Sequence, residues 1–180
     1  MSHIQYRDLR VEECERVSEI DPSQWIEKVW RNIDGDYQLI TINYQEDDWP
    51  DGYEKYRDAL IDTINCGGIA IGAFAEDGRL VGFVTLNKEF FGGTANYLLL
   101  DSMFVSRDYR NLGIGKQLFQ LCAAKAREWG ADKLYLCAAS SEDTIAFYRS
   151  VGCVAAAEIN QDLFDNDHRD IQLEYVLSED

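Results

Sequence analysis

The residues most suited to chemistry lie where a long apolar segment runs into a turn that contains two glycines. The apolar segment ends at Phe104-Val105, and the turn has the sequence Arg110-Asn-Leu-Gly113-Ile-Gly115. A helix that begins at such a turn presents unpaired backbone N–H groups and the positive end of its dipole. Glycine also lets a phosphate approach the backbone closely. The spacing therefore predicts a pyrophosphate-binding site at this turn.

Three phosphate-binding patterns compete for the turn. A P-loop requires glycine at position 110 and serine or threonine at position 117, where this chain has Arg110 and Gln117. A dinucleotide-binding fingerprint requires a third glycine at position 118, where this chain has Leu118. The pattern Arg-x-x-Gly-x-Gly fits without a mismatch.

This pattern resembles the acetyl-CoA pyrophosphate loop of the GNAT superfamily of N-acetyltransferases. A second segment, 144–153 (TIAFYRSVGC), resembles the A-x-x-F-Y-x-x-x-G-F stretch of the same family, with Cys153 in place of the final phenylalanine. The resemblance covers residues 69–177 well and the first 66 residues weakly. It implies an enzyme that transfers the acetyl group of acetyl-CoA to a primary amine.

The resemblance also implies which residues hold acetyl-CoA. The backbone of Met103, Phe104 and Val105 would pair with the pantetheine arm and polarise the thioester carbonyl. Ser141 stands where the family often has asparagine, so it is expected either to contact the CoA arm or to cap a helix. The residues implied to wrap the pyrophosphate are Arg110, Asn111, Leu112, Gly113, Gly115 and Lys116.

Two residues are implied to act in proton transfer. Tyr148 matches the family tyrosine that protonates the departing thiolate, although a purely packed aromatic side chain is the alternative. Asp101 lies where many members have an acid that takes a proton from the acceptor amine, and the alternative is a carboxylate bonded to backbone. The amine would attack acetyl-CoA directly in a ternary complex, with no metal. An acetyl-cysteine intermediate is not expected, because no histidine lies near a cysteine in the motif region.

The charge of the chain narrows the range of acceptor molecules that it could bind. Seventeen basic and 33 acidic residues give a net charge of −16, which disfavours nucleic acids and anionic membranes as partners. A cationic amine of a small molecule or a peptide suits this charge, and an antibiotic, a polyamine and a protein N-terminus all remain open. A non-catalytic acyl-CoA-binding module is the alternative function. Aromatic and acidic residues expected to shape the acceptor pocket are Trp25, Trp30, Tyr37, Tyr44, Trp49, Tyr53, Glu46, Asp47, Asp48 and Asp51. The alternative, which suits most of them individually, is that the aromatic residues pack in the core and the acidic residues form a solvated loop.

The length of the chain and its lack of a linker-like stretch predict a single domain over residues 1–180, and hydrophobic periodicity predicts an α/β fold. We expect a mostly antiparallel sheet with helices on both faces and one parallel pair of strands, 97–105 and 133–138, joined by a helix. The predicted helices span 11–20, 25–33, 53–65, 113–129 and 140–151. The predicted strands span 4–10, 37–44, 69–75, 80–86, 97–105, 133–138, 154–159 and 171–177.

Cysteine usage and hydropathy bear on the compartment. The five cysteines are scattered and lie mostly in apolar segments, which favours buried reduced thiols. The chain shows neither a secretory signal nor an apolar stretch of the length that a membrane span needs. These features predict a cytoplasmic protein, and family precedent makes a homodimer plausible.

Overall fold

The computed structural model describes residues 3–177 and centres on one large β-sheet. Its strands are β1 (Gln5–Asp8), β4 (Ile69–Phe74), β5 (Leu80–Leu86), β6 (Tyr97–Val105), β7 (Lys133–Ala138), β8 (Val154–Ala155) and β9 (Ile171–Val176). A separate hairpin consists of β2 (Gln24–Ile33) and β3 (Asp36–Glu46). The α-helices are α1 (Tyr53–Asn65), α2 (Ile114–Glu128), α3 (Glu142–Ser150) and α4 (Gln161–Asn166). Two 3₁₀ helices span Val11–Glu19 and Arg107–Tyr109.

The large sheet has the strand order β1-β4-β5-β6-β7-β9-β8, and only β6 and β7 are parallel. Parallel neighbours need a crossover connection, and α2 supplies it. The two strands pair only where residues 97–99 lie beside residues 133–135, and beyond that point β6 pairs with β5 alone. The sheet is therefore open between the second half of β6 and β7.

The two faces of the sheet carry separate cores. Leu98 and Leu100 of β6 pack in the cluster that includes α2 and α3, whereas Tyr97 and Leu99 pack on the opposite face with Tyr135. The first 3₁₀ helix and α1 share a third cluster, with residues of β4 and β5. The predicted sheet, its parallel pair and its flanking helices are confirmed.

The prediction of a helix over 25–33 is wrong, because this segment is strand β2. Its apolar residues also fit an alternating pattern, and the turn Asp34-Gly35, with φ of 52° and 94°, is of the kind that closes a hairpin. Pairing with β3 favours the strand over the helix in this segment. The 3₁₀ geometry of Val11–Glu19 was also not predicted.

Two further boundaries differ from prediction near the C-terminal end. The strand predicted over 154–159 is limited to Val154–Ala155, and α4 was not predicted at all. Helix α3 is capped by Ser141, whose Oγ accepts a hydrogen bond from the Thr144 N–H at 3.3 Å. The helix therefore begins at Glu142, two residues later than predicted, and Ser141 caps it, which is one of the two roles expected for this residue.

Candidate active site

The turn between β6 and α2 presents a row of unused backbone donors. Asn111 and Gly113 both adopt the left-handed conformation, with φ of 61° and 85°, and α2 makes its first backbone bond from Gln117 N–H to the Gly113 carbonyl. Within residues 3–177, no backbone acceptor is found for the N–H groups of Asn111, Leu112, Gly113, Ile114, Gly115 and Lys116. Most of this turn is exposed. A concave row of N–H groups at a helix N-terminus is suited to a diphosphate.

Arg110 supports the shape of this turn and does not extend toward the anion site. Its guanidinium donates to three backbone carbonyls, those of Val105 (2.9 Å), Ser23 (2.8 Å) and Pro22 (3.1 Å). Its own N–H donates to the Arg107 carbonyl at 3.3 Å. The Arg110 side chain therefore ties the end of β6 to the segment before β2, and its contact with the pyrophosphate stays a prediction.

Gly115 lets α2 touch two other elements. A Cβ at this position would lie 3.3 Å from the Phe147 ring of α3 and 3.7 Å from Val105 of β6. At Gly113, by contrast, a Cβ would meet nothing within 4 Å, and the positive φ is what favours glycine there. The two glycines therefore have different tasks, since Gly113 shapes the turn and Gly115 allows close packing.

Strand β6 offers its free edge to the opening in the sheet. Met103, Phe104 and Val105 pair on one side with Val84, Phe83 and Gly82 of β5. On the other side, no strand among the described residues pairs with them. This edge can accept an extended ligand as an added strand, in the way predicted for pantetheine.

Aromatic packing stiffens the strand behind that edge. The Phe104 ring lies 4.6 Å from the ring of Trp49 and 5.0 Å from that of Tyr56. Trp49 was expected in the acceptor pocket wall, but it is 94% buried in the core cluster beneath Phe104. It therefore supports strand β6 from below.

Tyr148 lies on the α2 face of the sheet. It packs in the main core cluster, with its ring 6.4 Å from that of Phe119, and burial raises the pKa of its phenol above the ordinary value. Its hydroxyl has no hydrogen-bond partner within residues 3–177. A neutral phenol with a free donor fits a proton donor, and its packing equally fits the structural alternative.

Asp101 lies on the opposite face, beside the opening between β6 and β7. The alternation of β6 places it with Leu99, away from α2. Its side chain is reached by solvent through the opening, yet the surrounding protein still raises the pKa of the carboxyl by partial burial. No hydrogen bond or ion pair engages it among the described residues. The alternative of a carboxylate tied to backbone is therefore not what the structure shows.

A second carboxylate, Asp170, was missed by sequence reasoning. It precedes β9 on the same side of the sheet, and both it and Asp101 act electrostatically on the thiol of Cys137 in β7. Burial, together with Asp167, raises the pKa of Asp170 to about 6. Its position in a loop after α4 carries no sequence pattern that could have identified it.

Tyr56 of α1 faces the same acidic region. Burial, with Asp51, Glu46 and Asp170 nearby, raises the pKa of its phenol to about 12. Sequence reasoning used Tyr56 only to place a helix. Together with Asp101 and Asp170, it makes the opening an aromatic and acidic cleft.

Other predicted site residues have partners of their own. The Ser141 hydroxyl donates to Thr144 Oγ1 at 2.7 Å while it caps α3, so its contact with the CoA arm stays a prediction. The Tyr53 hydroxyl donates to Glu15, and Glu46 accepts from Gln24 at 2.7 Å. The Trp30 ring lies under the Arg149 guanidinium. The side chains of Trp25, Tyr37, Tyr44, Asp47, Asp48 and Asp51 are exposed.

Comparison with known proteins fits this arrangement. A model of the acetyltransferase (GNAT) family matches residues 34–153, which contain β6, the donor-rich turn, Tyr148 and Asp101. The chain belongs to the GNAT family. The predictions that it is an N-acetyltransferase and that acetyl-CoA is its co-substrate are confirmed by this membership.

Individual relatives agree with the family assignment. An uncharacterized N-acetyltransferase in the pepI 3′ region of Lactobacillus delbrueckii subsp. lactis is 27% identical over 150 residues, covering 78% of this chain and 87% of that protein. The crystal structure of nourseothricin acetyltransferase has a TM-score of 0.74 at 21% identity, covering 97% and 99% of the two chains. A putative streptothricin acetyltransferase from Bacillus anthracis, solved with acetyl coenzyme A, has a TM-score of 0.72 at 19% identity, covering 99% of each. At these identities the two structures show that the fold is shared.

Residues 3–177 contain neither a membrane-spanning helix nor a cluster of metal ligands. No helix there has the length and apolar character to cross a membrane. No group of three or more histidine, cysteine or acidic side chains in that range could hold a metal ion.

Proposed function

We propose that this GNAT enzyme acetylates a primary amine of a cationic small molecule or peptide, which it binds on the face of the sheet opposite α2. One observation carries the proposal. The opening between β6 and β7 has the donor-rich turn and Tyr148 on the α2 side, and the unpaired carboxylates of Asp101 and Asp170 on the other. Acetyl-CoA and the acceptor amine can therefore enter from opposite faces of the sheet and meet at the opening.

On the donor side, the chain contributes backbone groups. The N–H groups of the turn bind the pyrophosphate, and the free edge of β6 pairs with the pantetheine arm. A backbone N–H of this edge also donates to the thioester carbonyl oxygen, and the bond strengthens as the oxygen gains charge during attack.

On the acceptor side, the chain must remove a proton before the amine can react. Asp101 takes this proton from the ammonium, directly or through water, because its raised pKa makes it a better base than a free aspartate. The amine nitrogen then forms a bond to the carbonyl carbon, and the carbon–sulfur bond breaks. After attack the nitrogen carries a second excess proton, which it loses to solvent as the amide forms. Tyr148 gives its proton to the departing thiolate, and solvent restores the proton of Tyr148.

The charge of the cleft supports a cationic acceptor. Asp170 has no hydrogen-bonded or ion-paired partner for its carboxylate in the described part of the chain, and the net charge is −16. Two structural relatives are named as acetyltransferases of nourseothricin and streptothricin, so antibiotics of that type are worth testing beside polyamines and peptide N-termini.

The test compares a diamine with a monoamine of the same length in wild type and Asp170→Asn. Asp170 is ionised above a pH of about 6, so kcat/KM for the diamine should fall as the pH drops through that value. In Asp170→Asn this step should vanish and kcat/KM at neutral pH should fall about tenfold, whereas the monoamine should change little.

A matched variant controls for loss of charge alone. Asp62→Asn removes an exposed carboxylate on α1 and should leave both profiles unchanged. If Asp170→Asn alters the two acceptors equally, or keeps the step near pH 6, Asp170 does not bind a second positive charge.

A further inference from the structure

Strand β7 lines one side of the opening in the sheet, across from β6. Its last three residues, 136–138, lie beyond the part that pairs with β6. Leu136 and Ala138 pack on the α2 face of the sheet, whereas Cys137 packs against the cluster on the opposite face, which is the face proposed for the acceptor. Along this open part of β7, Cys137 is therefore the side chain that faces the acceptor.

Cys137 lies across the opening from Asp101. The parallel register places Leu99 beside Tyr135, and two residues farther along the two strands come Asp101 and Cys137, on the same face. Asp101 acts electrostatically on the Cys137 thiol, but no hydrogen bond joins the two side chains in the described part of the chain. Solvent reaches both of them, so a ligand can lie between them.

A chain of hydrogen bonds holds the Cys137 side chain in place. Its thiol donates to Gln172 Oε1 at 3.4 Å, and the same oxygen accepts a bond from the Tyr135 hydroxyl at 2.6 Å. The Tyr135 hydroxyl oxygen in turn accepts the Asn160 N–H at 3.1 Å. These bonds give the sulfur a fixed position, which a residue that selects ligands by shape requires.

The Gln172 amide is a second sign that this side of the opening meets a ligand. Gln172 is only 6% exposed, and its Nε2 has no hydrogen-bond partner within residues 3–177. A buried donor without a partner costs stability and is uncommon in folded proteins. Its place next to Cys137 points to a bound molecule that completes this wall of the opening.

The Cys137 thiol is not a nucleophile at neutral pH. Burial, with Asp170 and Asp101 nearby, raises the pKa of the thiol to about 11. A protonated thiol does not attack a thioester, because the thiolate is the reactive form. Cys137 therefore meets the acceptor as a small, uncharged surface.

We propose that Cys137 determines acceptor specificity by limiting the size of the group on the carbon beside the reacting nitrogen. The inference rests on the proposed function, in which Asp101 takes a proton from the ammonium and so holds the nitrogen on the β6 side of the opening. The carbon attached to that nitrogen then lies toward β7. There the sulfur leaves room for a CH2 group and excludes a branched carbon.

The test compares putrescine with 2,5-diaminohexane, which has the same chain between its two amines and a methyl group beside each nitrogen. Wild type should favour putrescine in kcat/KM at least about tenfold, since one misplaced methylene in a pocket changes specificity by about 10–200-fold. Cys137→Ala removes the sulfur and should lower this ratio about tenfold. It should do so by raising kcat/KM for 2,5-diaminohexane, a gain that a merely destabilised protein would not show.

Cys137→Ser is the matched control, because its hydroxyl is close in size to the thiol and can still donate to Gln172. It should keep the wild-type ratio, and retention of the acetyl-CoA-induced rise in melting temperature shows that each variant is folded. An equal ratio in wild type and Cys137→Ala would overturn the role of Cys137 and leave the proposed function intact. If wild type acetylates neither diamine, the proposed function fails for small cationic amines and this inference falls with it.

Alkylation tests the position of Cys137 without turnover. Acetyl-CoA at about ten times its Kd should slow the reaction of Cys137 with iodoacetamide about tenfold, since its acetyl group enters the opening and only the free enzyme reacts. A pH of about 9 supplies enough thiolate for the reaction, which mass spectrometry follows at each cysteine. Cys66 is exposed and is the internal control, because its rate should not change. A Cys137 that acetyl-CoA does not protect would overturn the proposal.

Discussion

At the scale of the residue, the two groups proposed for proton transfer, Tyr148 and Asp101, lie on opposite faces of the sheet. Tyr148 lies on the α2 face, and its raised pKa keeps the phenol protonated at neutral pH. Asp101 lies on the other face, and its raised pKa increases its basicity. Burial raises both pKa values, which supports the proposed roles of Tyr148 as proton donor to the thiolate and of Asp101 as acceptor of the ammonium proton.

Replacement of Tyr148 by phenylalanine removes only the hydroxyl. The ring would keep its contacts with Phe119 and Phe147, so the variant should fold and bind acetyl-CoA with nearly unchanged affinity. We expect kcat to fall on the order of 10²-fold, which is the low end for the loss of a general acid. Steady-state kinetics at saturating acetyl-CoA measure this effect.

A melting temperature close to that of wild type is the control, since a disturbed core would also lower kcat. If chemistry limits turnover and Tyr148→Phe still works within about twofold of wild type, Tyr148 is a packing residue and another group protonates the thiolate.

At the scale of the element, the unit β6–turn–α2 was predictable because its signals are local. An apolar run, two glycines and an amphipathic helix specify strand, turn and helix within one stretch of chain. The task of Arg110 was not predictable, because its partners at Pro22 and Ser23 are distant in sequence. The place of Asp170 in the site was not predictable for the same reason, since only the fold brings this residue beside Cys137.

The β2–β3 hairpin shows where hydrophobic periodicity fails to predict secondary structure. Trp25, Val29 and Ile33 fit a helical face, and the same segment also fits a two-sided strand. Its pairing with β3 and its bridge to Ser141 depend on the folded chain, so local spacing could not choose between the two.

Substitution of Gly115 by valine tests the junction of α2, α3 and β6. Even a Cβ alone would press on the Phe147 ring at 3.3 Å, and the branched side chain should displace the start of α2 and the donor-rich turn with it. The stabilisation of the chain by acetyl-CoA in a thermal melt should disappear.

Ala124→Val is the matched variant, because it places the same branched side chain at an exposed position of the same helix. It should keep the full acetyl-CoA-induced shift. An unchanged shift in Gly115→Val would show that this turn does not bind the pyrophosphate.

At the scale of the whole molecule, composition predicted that the electrostatic field is negative, but it did not predict which carboxylates act at the candidate site. The net charge of −16 is a property of the full chain, whereas only the fold brings Asp101 and Asp170 close enough to Cys137 for both to act on its thiol. Buried thiols were predicted for the five cysteines as a group, and the structure buries Cys14, Cys122 and Cys153, whereas Cys137 is half-buried and Cys66 is exposed. The cytoplasmic location and the single domain stay predictions.

The most direct test of acetyl transfer to a cationic amine is the release of free CoA from acetyl-CoA across a panel of amines. The panel should include polyamines, streptothricin-type antibiotics, peptide N-termini and neutral amines. We expect acceptor-dependent CoA release with one polycationic amine as the best substrate, and its kcat/KM should fall as salt rises, because attraction between exposed charges is screened over ~10 Å at 0.1 M. Charge reversal at Asp47 and Asp48 should weaken that salt dependence. A best acceptor that is neutral or anionic would contradict the cationic assignment. Binding of acetyl-CoA without CoA release by any amine would instead indicate a non-catalytic acyl-CoA-binding protein.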